Sequence, residues 1–275
     1  MADSGIRIVN VTRRGPSALS GDRDRVAVEE PMEVRVNGAA FAVIMRTPGA
    51  DRDLAAGFLL AEDVVRSADE IGTIAYCDDE DVDEEGRANI LNVTVTGAAV
   101  ERLGTRLGER RQVMMTASCG LCGRRTIESL RARVESVGGA WTIPASVISA
   151  LPATLRPAQA VFDSTGGLHA AGLFDLDGYL QLSAEDVGRH NAVDKIIGRT
   201  LLAGGHPLDR RLLLVSGRTS FELVQKALLG GVLLVAAVSA PSSLAIDLAE
   251  QAGITLCGFV RGPSFNIYAH PERIT

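Results

Sequence analysis

The spacing of apolar residues changes between the two halves of the chain. From about residue 25 to residue 96, apolar and polar residues alternate in short runs, as in half-buried β-strands. The run 32–45 alternates on both sides of Asn37-Gly38, which predicts a β-hairpin. A helix is predicted at 51–61, capped near Thr47 or Asp51, and further strands are predicted at 71–76 and 90–96.

Beyond residue 168, short apolar runs alternate with segments of helical period. Strands are predicted at 168–174, 179–183, 211–216, 232–238 and 254–259, and helices at 188–202, 220–229 and 242–252. Two shorter helices, 144–151 and 156–162, are predicted before them. This alternation favours an α/β fold in which a mostly parallel sheet is covered by helices on both faces.

Three segments are predicted along the chain. Residues 1–24 contain the breakers Gly15-Pro16 and Ser20-Gly21 and no sustained period, which predicts a flexible lead-in. A smaller strand-rich domain is predicted at 25–112 and an α/β domain at 113–275. The acidic run 78–85 lies between two predicted strands and is interpreted as a solvated hairpin tip.

Composition excludes several classes of protein. The 275 residues are 46% hydrophobic, enough for a sizeable core, and the net charge of −6 argues against nucleic-acid binding. The longest apolar run, 228–240, is shorter than the ~20 residues of a membrane-spanning helix, so no membrane association is predicted. The first 16 residues contain no apolar signal region, and a cytoplasmic location is expected.

The most reactive segment is 116–125, where two of the four cysteines, Cys119 and Cys122, are spaced two residues apart among glycines. A helix is predicted from Thr126, which places both thiols just before its positive end. Residues 101–133 contain eight arginines and three acidic residues. Positive charge and a helix N-terminus both favour the thiolate, the nucleophilic form of cysteine. Cys77 and Cys257 stand alone and are interpreted as buried fillers.

Four interpretations of this cysteine pair are open. A zinc site needs further ligands, but the histidines, at positions 169, 190, 206 and 270, are scattered, so no metal site is predicted. A thioredoxin-like dithiol would be expected early in a βαβ unit. A loop presenting a sulfur-carrying nucleophile needs glycines and nearby positive charge, which are present. The fourth is a glycine turn with inert cysteines.

Three polar segments follow predicted strands. Residues 216–222 contain a Thr219-x-x-Glu222 capping box beside Arg218, which makes an anion or phosphate site favourable at a helix start. Residues 184–195 crowd charges, His190 and Asn191 at another helix start, where a solvated helix end is an equally good interpretation. The third segment, 258–268, contains Arg261-Gly262-Pro263. His169, on a predicted strand, is more typical of a core histidine than of a catalyst.

These segments together resemble the formate dehydrogenase accessory sulfurtransferases, the FdhD family. The resemblance covers about residues 25–272. It depends on Ser118-Cys119-Gly120-Leu121-Cys122-Gly123, on the run 186–195 (DVGRHNAVDK), on 216–220 (SGRTS), and on 258–263 (GFVRGP) with 266–268 (NIY). Several long motifs in this order make a chance match improbable.

The resemblance implies a specific activity. In this family a cysteine of the C-x-x-C loop takes sulfur as a persulfide from a cysteine desulfurase. It passes the sulfur to molybdenum bis(molybdopterin guanine dinucleotide), the cofactor that formate dehydrogenase needs. By position, Cys119 would be the carrier and Cys122 the assisting thiol. The cofactor, bound as substrate, would contact Phe259, Val260, Arg261, Gly262, Pro263 and Ser264.

The resemblance also implies a cytidine deaminase-like main domain and a homodimer. This chain lacks the deaminase His-x-Glu, because Ala170 and Ala171 follow His169, and Ser118 precedes Cys119 where deaminases have proline. No directly bound metal is therefore expected. The cofactor's nucleotide end is predicted between the helix entry at Gly217, Arg218 and Thr219 and the turn 259–264. The alternatives are a non-enzymatic molybdenum-cofactor chaperone and, further off, a zinc-dependent deaminase.

Overall fold

The computed structural model describes residues 5–15, 19–110 and 141–275. Its first element is a two-stranded antiparallel hairpin of β1 (Ile6–Arg14) and β2 (Leu19–Ala27). The guanidinium of Arg13 pairs across the hairpin with Asp22 at 2.9 Å and Asp24 at 3.3 Å. The prediction of a lead-in without regular structure over residues 1–24 is therefore wrong. Of the residues that suggested it, Gly15 directly follows β1, and Ser20 and Gly21 lie within β2.

A four-stranded sheet follows, with the order β4-β3-β6-β5. Its strands are β3 (Glu30–Val36), β4 (Ala39–Arg46), β5 (Ile71–Tyr76) and β6 (Ile90–Val95). Asn37 and Gly38 join β3 to β4 with φ angles of 48° and 80°, the left-handed pair that a tight hairpin turn requires. The predicted hairpin is thus confirmed.

Three helices accompany this sheet: α1 (Asp51–Ala61), α2 (Glu84–Ala88) and α3 (Ala98–Arg110). The acidic run 78–85 lies between the antiparallel strands β5 and β6, as predicted, and its last two residues begin α2. The N-cap of α1 is Ala50, not Thr47 or Asp51. The Asp51 side chain does not cap the helix because its carboxylate binds the buried guanidinium of Arg46 at 2.9 Å.

A six-stranded sheet forms the second half, in the order β12-β11-β10-β9-β7-β8. Its strands are β7 (His169–Phe174), β8 (Leu180–Asp186), β9 (Leu212–Val215), β10 (Leu234–Ala237), β11 (Thr255–Arg261) and β12 (Ser264–Ala269). Only β9, β10 and β11 pair in parallel; β7 is antiparallel to both neighbours, and β12 to β11. The sheet is mixed rather than mostly parallel, because tight turns join β7 to β8 and β11 to β12.

Helices cover both faces of this sheet. They are α4 (Ala145–Leu155), α5 (Ala160–Thr165), α6 (Arg189–Leu202), α7 (Phe221–Leu229) and α8 (Ser243–Ala252). Along β9, Leu213 and Val215 belong to the core cluster that contains α6 to α8, whereas Leu212 and Leu214 belong to the cluster that contains α4. Alternate residues of one strand therefore enter separate cores, which explains why β9 is wholly apolar.

The two sheets share one hydrophobic core, which includes Met32 and Leu54 from the first half and Ile196 and Leu213 from the second. Helices α1 and α6 cross with their backbones in contact. A Cβ atom at Gly57 would lie 2.0 Å from the carbonyl oxygen of Asp194. The predicted boundary between residues 112 and 113 lies outside the described residues and stays a prediction.

Two further predictions need correction. The helix predicted at 156–162 is a 3₁₀ turn, Arg156–Ala158, followed by α5, because Gln159, with ψ of 59°, interrupts the helix between them. Strand β12 was not predicted, and 259–264 is the β11 end, a Gly262-Pro263 turn and the β12 start. No helix of the described residues is long and apolar enough to cross a membrane.

Candidate functional site

The cysteine pair, Cys119 and Cys122, lies outside the described residues, as does the helix predicted from Thr126. The two other cysteines, Cys77 and Cys257, are free and buried. Burial raises the pKa of the Cys257 thiol to about 12, so this thiol stays protonated at neutral pH. Both cysteines are thus buried, as their interpretation as packing residues predicted.

Metal-ligating side chains do not converge in the part of the chain that the structure describes. There, no group of three or more His, Cys, Asp or Glu side chains is arranged to hold a metal ion. His169 begins β7 and is paired in register with Asp186 of β8. Burial, followed by the charge of Arg189, lowers the pKa of His169, so its imidazole is neutral at neutral pH.

The two predicted nucleotide-binding segments lie on either side of a third, residues 238–242, which follows β10. On one side, the N–H of Thr219 donates to the carbonyl of Ala240 at 3.1 Å. On the other, the N–H of Phe259 donates to the carbonyl of Ser239 at 3.2 Å. All three segments leave the carboxyl ends of the parallel strands β9, β10 and β11. No pattern in the sequence marked residues 238–242, which position the other two segments through backbone hydrogen bonds.

The start of α7 differs from the predicted capping box. The N-cap is Ser220, whose hydroxyl does not cap the helix but lies 3.0 Å from Nε2 of His190. The Thr219 side chain is buried and its hydroxyl oxygen has no partner, while the Glu222 carboxylate lies 3.4 Å from His190. Thr219 does not cap the helix because its backbone is hydrogen-bonded to the neighbouring segment: its N–H donates to the Ala240 carbonyl, and its carbonyl accepts from the Ser242 N–H. The first N–H groups of α7 are thus left without a side-chain cap, which favours an anion there.

Two arginines border these segments. Arg218 is exposed, and no ion pair with it is present among the described residues. Arg261 is exposed and its Nε donates to the carbonyl of Val238 at 3.0 Å. Its guanidinium also lies 5.8 Å from the centre of the Phe259 ring. Phe259 has a φ of 54°, a conformation that costs free energy in a non-glycine residue and is concentrated at ligand sites.

Three residues of the motif 186–195, Asp186, Asn191 and Lys195, form a hydrogen-bonded group with Thr47. We call this group the clasp. Asp186 accepts hydrogen bonds from the Gly188 N–H and the Asn191 amide, both at 2.8 Å, and its carboxylate lies 2.7 Å from Nζ of Lys195. Lys195 also donates to the carbonyl of Thr47 at 3.0 Å. All these groups have partners, so the clasp ties α6 to the segment before α1. The sequence showed the motif but not the contribution of Thr47.

A second buried charge group connects α6 with α7. Nζ of Lys226 donates to both carboxylate oxygens of Asp194, at 2.9 and 2.8 Å. Burial opposes the charge of Lys226, but Asp194 and Glu222 outweigh it and raise the pKa of this lysine. Burial, followed by the charge of Lys226, lowers the pKa of His190 to about 3. His190 therefore faces Ser220 as a neutral imidazole.

A mixed six-stranded sheet with helices on both faces, and a helix start without a side-chain cap at the ends of its parallel strands, define an α/β protein with a candidate anion site. A family model, the FdhD/NarQ family, matches residues 27–275. This chain belongs to the FdhD/NarQ family. The match begins within β2 and includes every motif on which the resemblance depended.

Individual relatives agree with this assignment. The chain is 48% identical over 273 residues to the sulfur carrier protein FdhD of Streptomyces avermitilis, covering 96% of this chain and 94% of that protein. It is 46% identical over 268 residues to the sulfur carrier protein FdhD of Nocardia farcinica, covering 96% and 93%. The crystal structure of a candidate formate dehydrogenase accessory protein from Desulfotalea psychrophila superimposes with a TM-score of 0.75 at 22% identity, over 98% of this chain and 99% of that one. This last likeness shows the fold alone, and the cytidine deaminase-like description stays a prediction.

Proposed function

We propose that this protein is a sulfur carrier that takes sulfur as a persulfide on Cys119 and delivers it to molybdenum bis(molybdopterin guanine dinucleotide) for formate dehydrogenase. The sulfur donor is a cysteine desulfurase, and Cys122 is the assisting thiol. The observation that carries the proposal is the 48% identity, over 96% of the chain, to a protein named a sulfur carrier. A homodimer in the cytoplasm is part of the same proposal.

The burial of Cys77 and Cys257 supports the assignment of the carrier role to Cys119. Cys257 is fully buried with a raised pKa, and Cys77 is 7% exposed, so neither thiol can reach a partner protein. In the loading step, the Cys119 thiolate attacks the terminal sulfur of the desulfurase persulfide. The S–S bond of that persulfide breaks, its cysteine leaves as a thiolate, and one sulfur atom now extends Cys119. No oxidant or reductant is consumed in this step.

The strand ends support binding of the cofactor's nucleotide end. Gly217, Arg218 and Thr219 lead into the uncapped start of α7, and the segment from Phe259 to Ser264 lies across residues 238–242 from it. A guanine dinucleotide carries phosphates, which bind best to arginines and free N–H groups at helix starts. The exposed Arg218 and Arg261 supply the charge.

Mass spectrometry of the full chain tests the loading step. After incubation with a cysteine desulfurase and L-cysteine, the Cys119 peptide should gain about 32 Da, one sulfur atom, as expected for a persulfide. Cys119→Ser should abolish this gain. Cys77→Ala is the matched control and should load normally, since Cys77 is buried.

The outcomes separate the proposal from its alternatives. Persulfide on Cys122 or Cys257 instead of Cys119 would overturn the assignment of the carrier. A protein that binds guanine nucleotide but never gains sulfur would be a cofactor chaperone. One zinc per chain that is lost in the Cys119→Ser, Cys122→Ser double variant would return the pair to the metal-site interpretation.

A further inference from the structure

The β1–β2 hairpin forms an arm, which we define as residues 6–27. Its base packs against the body of the protein, where a Cβ atom at Gly167, after α5, would lie 3.2 Å from the side chain of Ala27. Its strands pair with each other and with no other strand of the described residues. Beyond the base, no hydrogen bond or ion pair among those residues joins 8–25 to the rest of the protein. An isolated two-stranded hairpin is only marginally stable in water, so a second surface that covers the arm would stabilise it.

The two faces of the arm differ in charge. Directly opposed residues of the two strands share a face, and so does every second residue along each strand. One face contains Arg13 together with Asp22 and Asp24, with which it forms ion pairs. The opposite face contains no acidic residue. We call it the basic face, after its three arginines, and it consists of Ile8, Arg14, Arg23 and Arg25.

The side chains of the basic face are open to solvent. All three arginines are exposed, and none of them forms an ion pair within the part of the chain that the structure describes. Ile8, directly opposite Arg25, is 56% exposed. Positive charge around an exposed apolar side chain is complementary to an acidic surface that also offers an apolar contact. Such complementarity speeds association and fixes the register of the two surfaces.

The same chain carries such a surface. The acidic run 78–85 contains seven carboxylate side chains, all of them exposed and none in an ion pair with another described residue. Tyr76, just before this run, is 46% exposed, and its ring offers an apolar contact for Ile8 and a face for an arginine. Within one chain, no hydrogen bond or ion pair of the described residues joins the arm to the run. The opposite charges are therefore available to a second copy.

We infer that the basic face of the arm docks on the acidic run 78–85 of a second copy of this chain. In a two-fold dimer each chain gives one arm and receives one, so the contact forms twice. The arginines meet the carboxylates, and Ile8 packs against the exposed ring of Tyr76. The inference rests on the proposed function only in the homodimer that forms part of it, and it names the surfaces that this dimer uses.

Sedimentation equilibrium of full-length chains with reversed charges tests the inference. The arm variant makes the basic face acidic through Arg14→Glu, Arg23→Glu and Arg25→Glu. The run variant makes the acidic run basic, with five lysines against two acids, through Asp78→Lys, Glu80→Lys, Asp81→Lys, Glu84→Lys and Glu85→Lys. It keeps Asp79 and Asp83, which accept backbone hydrogen bonds. Each variant alone should dimerise about tenfold or more weakly than wild type, because each contact then joins like charges.

A mixture of the two variants gives the sharpest result. In a heterodimer the acidic arm of one chain meets the basic run of the other, and the basic arm meets the acidic run. Both contacts again join opposite charges, so the mixture should form a heterodimer where neither variant dimerises by itself. An arm that contacts the acidic run of its own chain could not produce this result.

The matched control reverses three arginines outside the basic face, none of them in an ion pair within the described residues: Arg7→Glu, Arg210→Glu and Arg211→Glu. This control has the same net charge as the arm variant and should keep the dissociation constant of the wild-type dimer. Raising the ionic strength from about 0.1 to about 1 M shortens the Debye length from ~10 to ~3 Å and should weaken the wild-type dimer.

Three results would overturn the inference. A wild-type chain that stays monomeric would leave the basic face to an acidic partner of another kind. A dimer as strong in the arm variant as in the control would place the interface elsewhere. Variants with the wild-type melting temperature that stay monomeric when mixed would show that the arm and the run do not meet.

Sulfur loading of Cys119 is measured separately by mass spectrometry. Normal loading in a chain whose dimer survives both charge reversals would remove the arm contact but not the proposed sulfur transfer. Absence of loading in a chain that forms the expected heterodimer would remove the sulfur transfer but not the arm contact.

Discussion

Nε2 of His190 lies 3.0 Å from the hydroxyl oxygen of Ser220, which links the first turn of α6 to the residue before α7. The carboxylate of Glu222 lies 3.4 Å from the same nitrogen. Because burial and the nearby charge of Lys226 lower the pKa of His190 to about 3, the folded protein holds this imidazole neutral. The start of α7, where we propose a phosphate site, therefore depends on a histidine that does not take up a proton above about pH 3.

The first prediction concerns stability in acid. In the unfolded chain His190 titrates near 6.5, so between pH 6.5 and about 3 the unfolded state binds a proton that the folded state does not. The free energy of unfolding should fall as the pH drops through this window, by at most about 1.4 kcal/mol per pH unit from this residue. His190→Gln should make the dependence shallower, as measured by urea denaturation between pH 6.5 and 4.

His270 provides a control, because folding shifts its pKa in the opposite direction. A hydrogen bond to the backbone of Glu250, with the Glu272 carboxylate beside it, raises the pKa of His270. Its contribution to stability is full below its unfolded pKa and is lost as the pH rises through the folded value. His270→Gln should therefore alter the pH dependence just above pH 6.5 and leave the acid limb intact. Identical acid limbs in wild type and His190→Gln would contradict the first prediction.

The second prediction concerns the crossing of α1 and α6. At Gly198 a Cβ atom would lie 1.9 Å from the carbonyl oxygen of Asp53, and at Gly57 it would lie 2.0 Å from that of Asp194. These are backbone atoms of the facing helix, so the helices must separate to admit a methyl group. Gly57→Ala and Gly198→Ala should each destabilise the fold by about 3 kcal/mol or more, at the upper end of the costs of overpacking.

Gly104 of α3 is the matched control for this crossing. It lies within a helix as well, but a Cβ atom there would meet nothing within 4 Å. Gly104→Ala should stabilise the protein by about 0.5 to 1 kcal/mol through helix propensity. A Gly57→Ala variant as stable as wild type in thermal unfolding would show that the helices can move apart at little cost.

The sequence predicted the strands and helices of this fold better than their directions. Wholly apolar runs such as Leu212–Val215 and the helical periods between them identified the elements. The direction of β7 could not be predicted from such runs, since a buried strand shows the same apolar pattern in parallel and antiparallel pairing. The β1–β2 hairpin was missed for two reasons: the apolar residues of β1 fall on both faces of the strand, and β2 is rich in charged residues, so neither strand shows the apolar alternation of a half-buried sheet.

The candidate site was predictable only where a motif marks it. Arg218 and Arg261 were identified from the glycine-arginine steps after their strands. Residues 238–242 carry no such signal, because they position the other two segments through the backbone carbonyl groups of Ser239 and Ala240. Thr47 likewise binds Lys195 through its backbone carbonyl, and a backbone contact leaves no trace in the type of residue.

The third prediction concerns the clasp between Lys195 and Asp186. Lys195→Met keeps most of the side-chain length but leaves the fully buried Asp186 carboxylate without its charged partner. Loss of one partner of a buried pair costs about 3 to 5 kcal/mol. Arg199→Met, which removes the partly exposed pair with Asp53 at 3.0 Å, should cost less than about 1 kcal/mol. Urea denaturation of both variants at pH 7 measures the difference, and equal small losses would show that the clasp adds little stability.

The last prediction concerns the phosphate end of the proposed nucleotide site. Arg261 donates from Nε to Val238 and is otherwise exposed, so its terminal nitrogens are available to a phosphate beside the start of α7. Arg261→Ala should remove one charge-assisted contact, worth about 1.5 to 3 kcal/mol, and weaken GDP about ten- to a hundredfold in calorimetry. Sulfur loading of Cys119 should persist, because it needs no phosphate. Arg210→Ala, at an exposed arginine before β9 and hence at the opposite end of the sheet, should change neither property. Unchanged affinity for GDP in both Arg218→Ala and Arg261→Ala would place the nucleotide elsewhere on the protein.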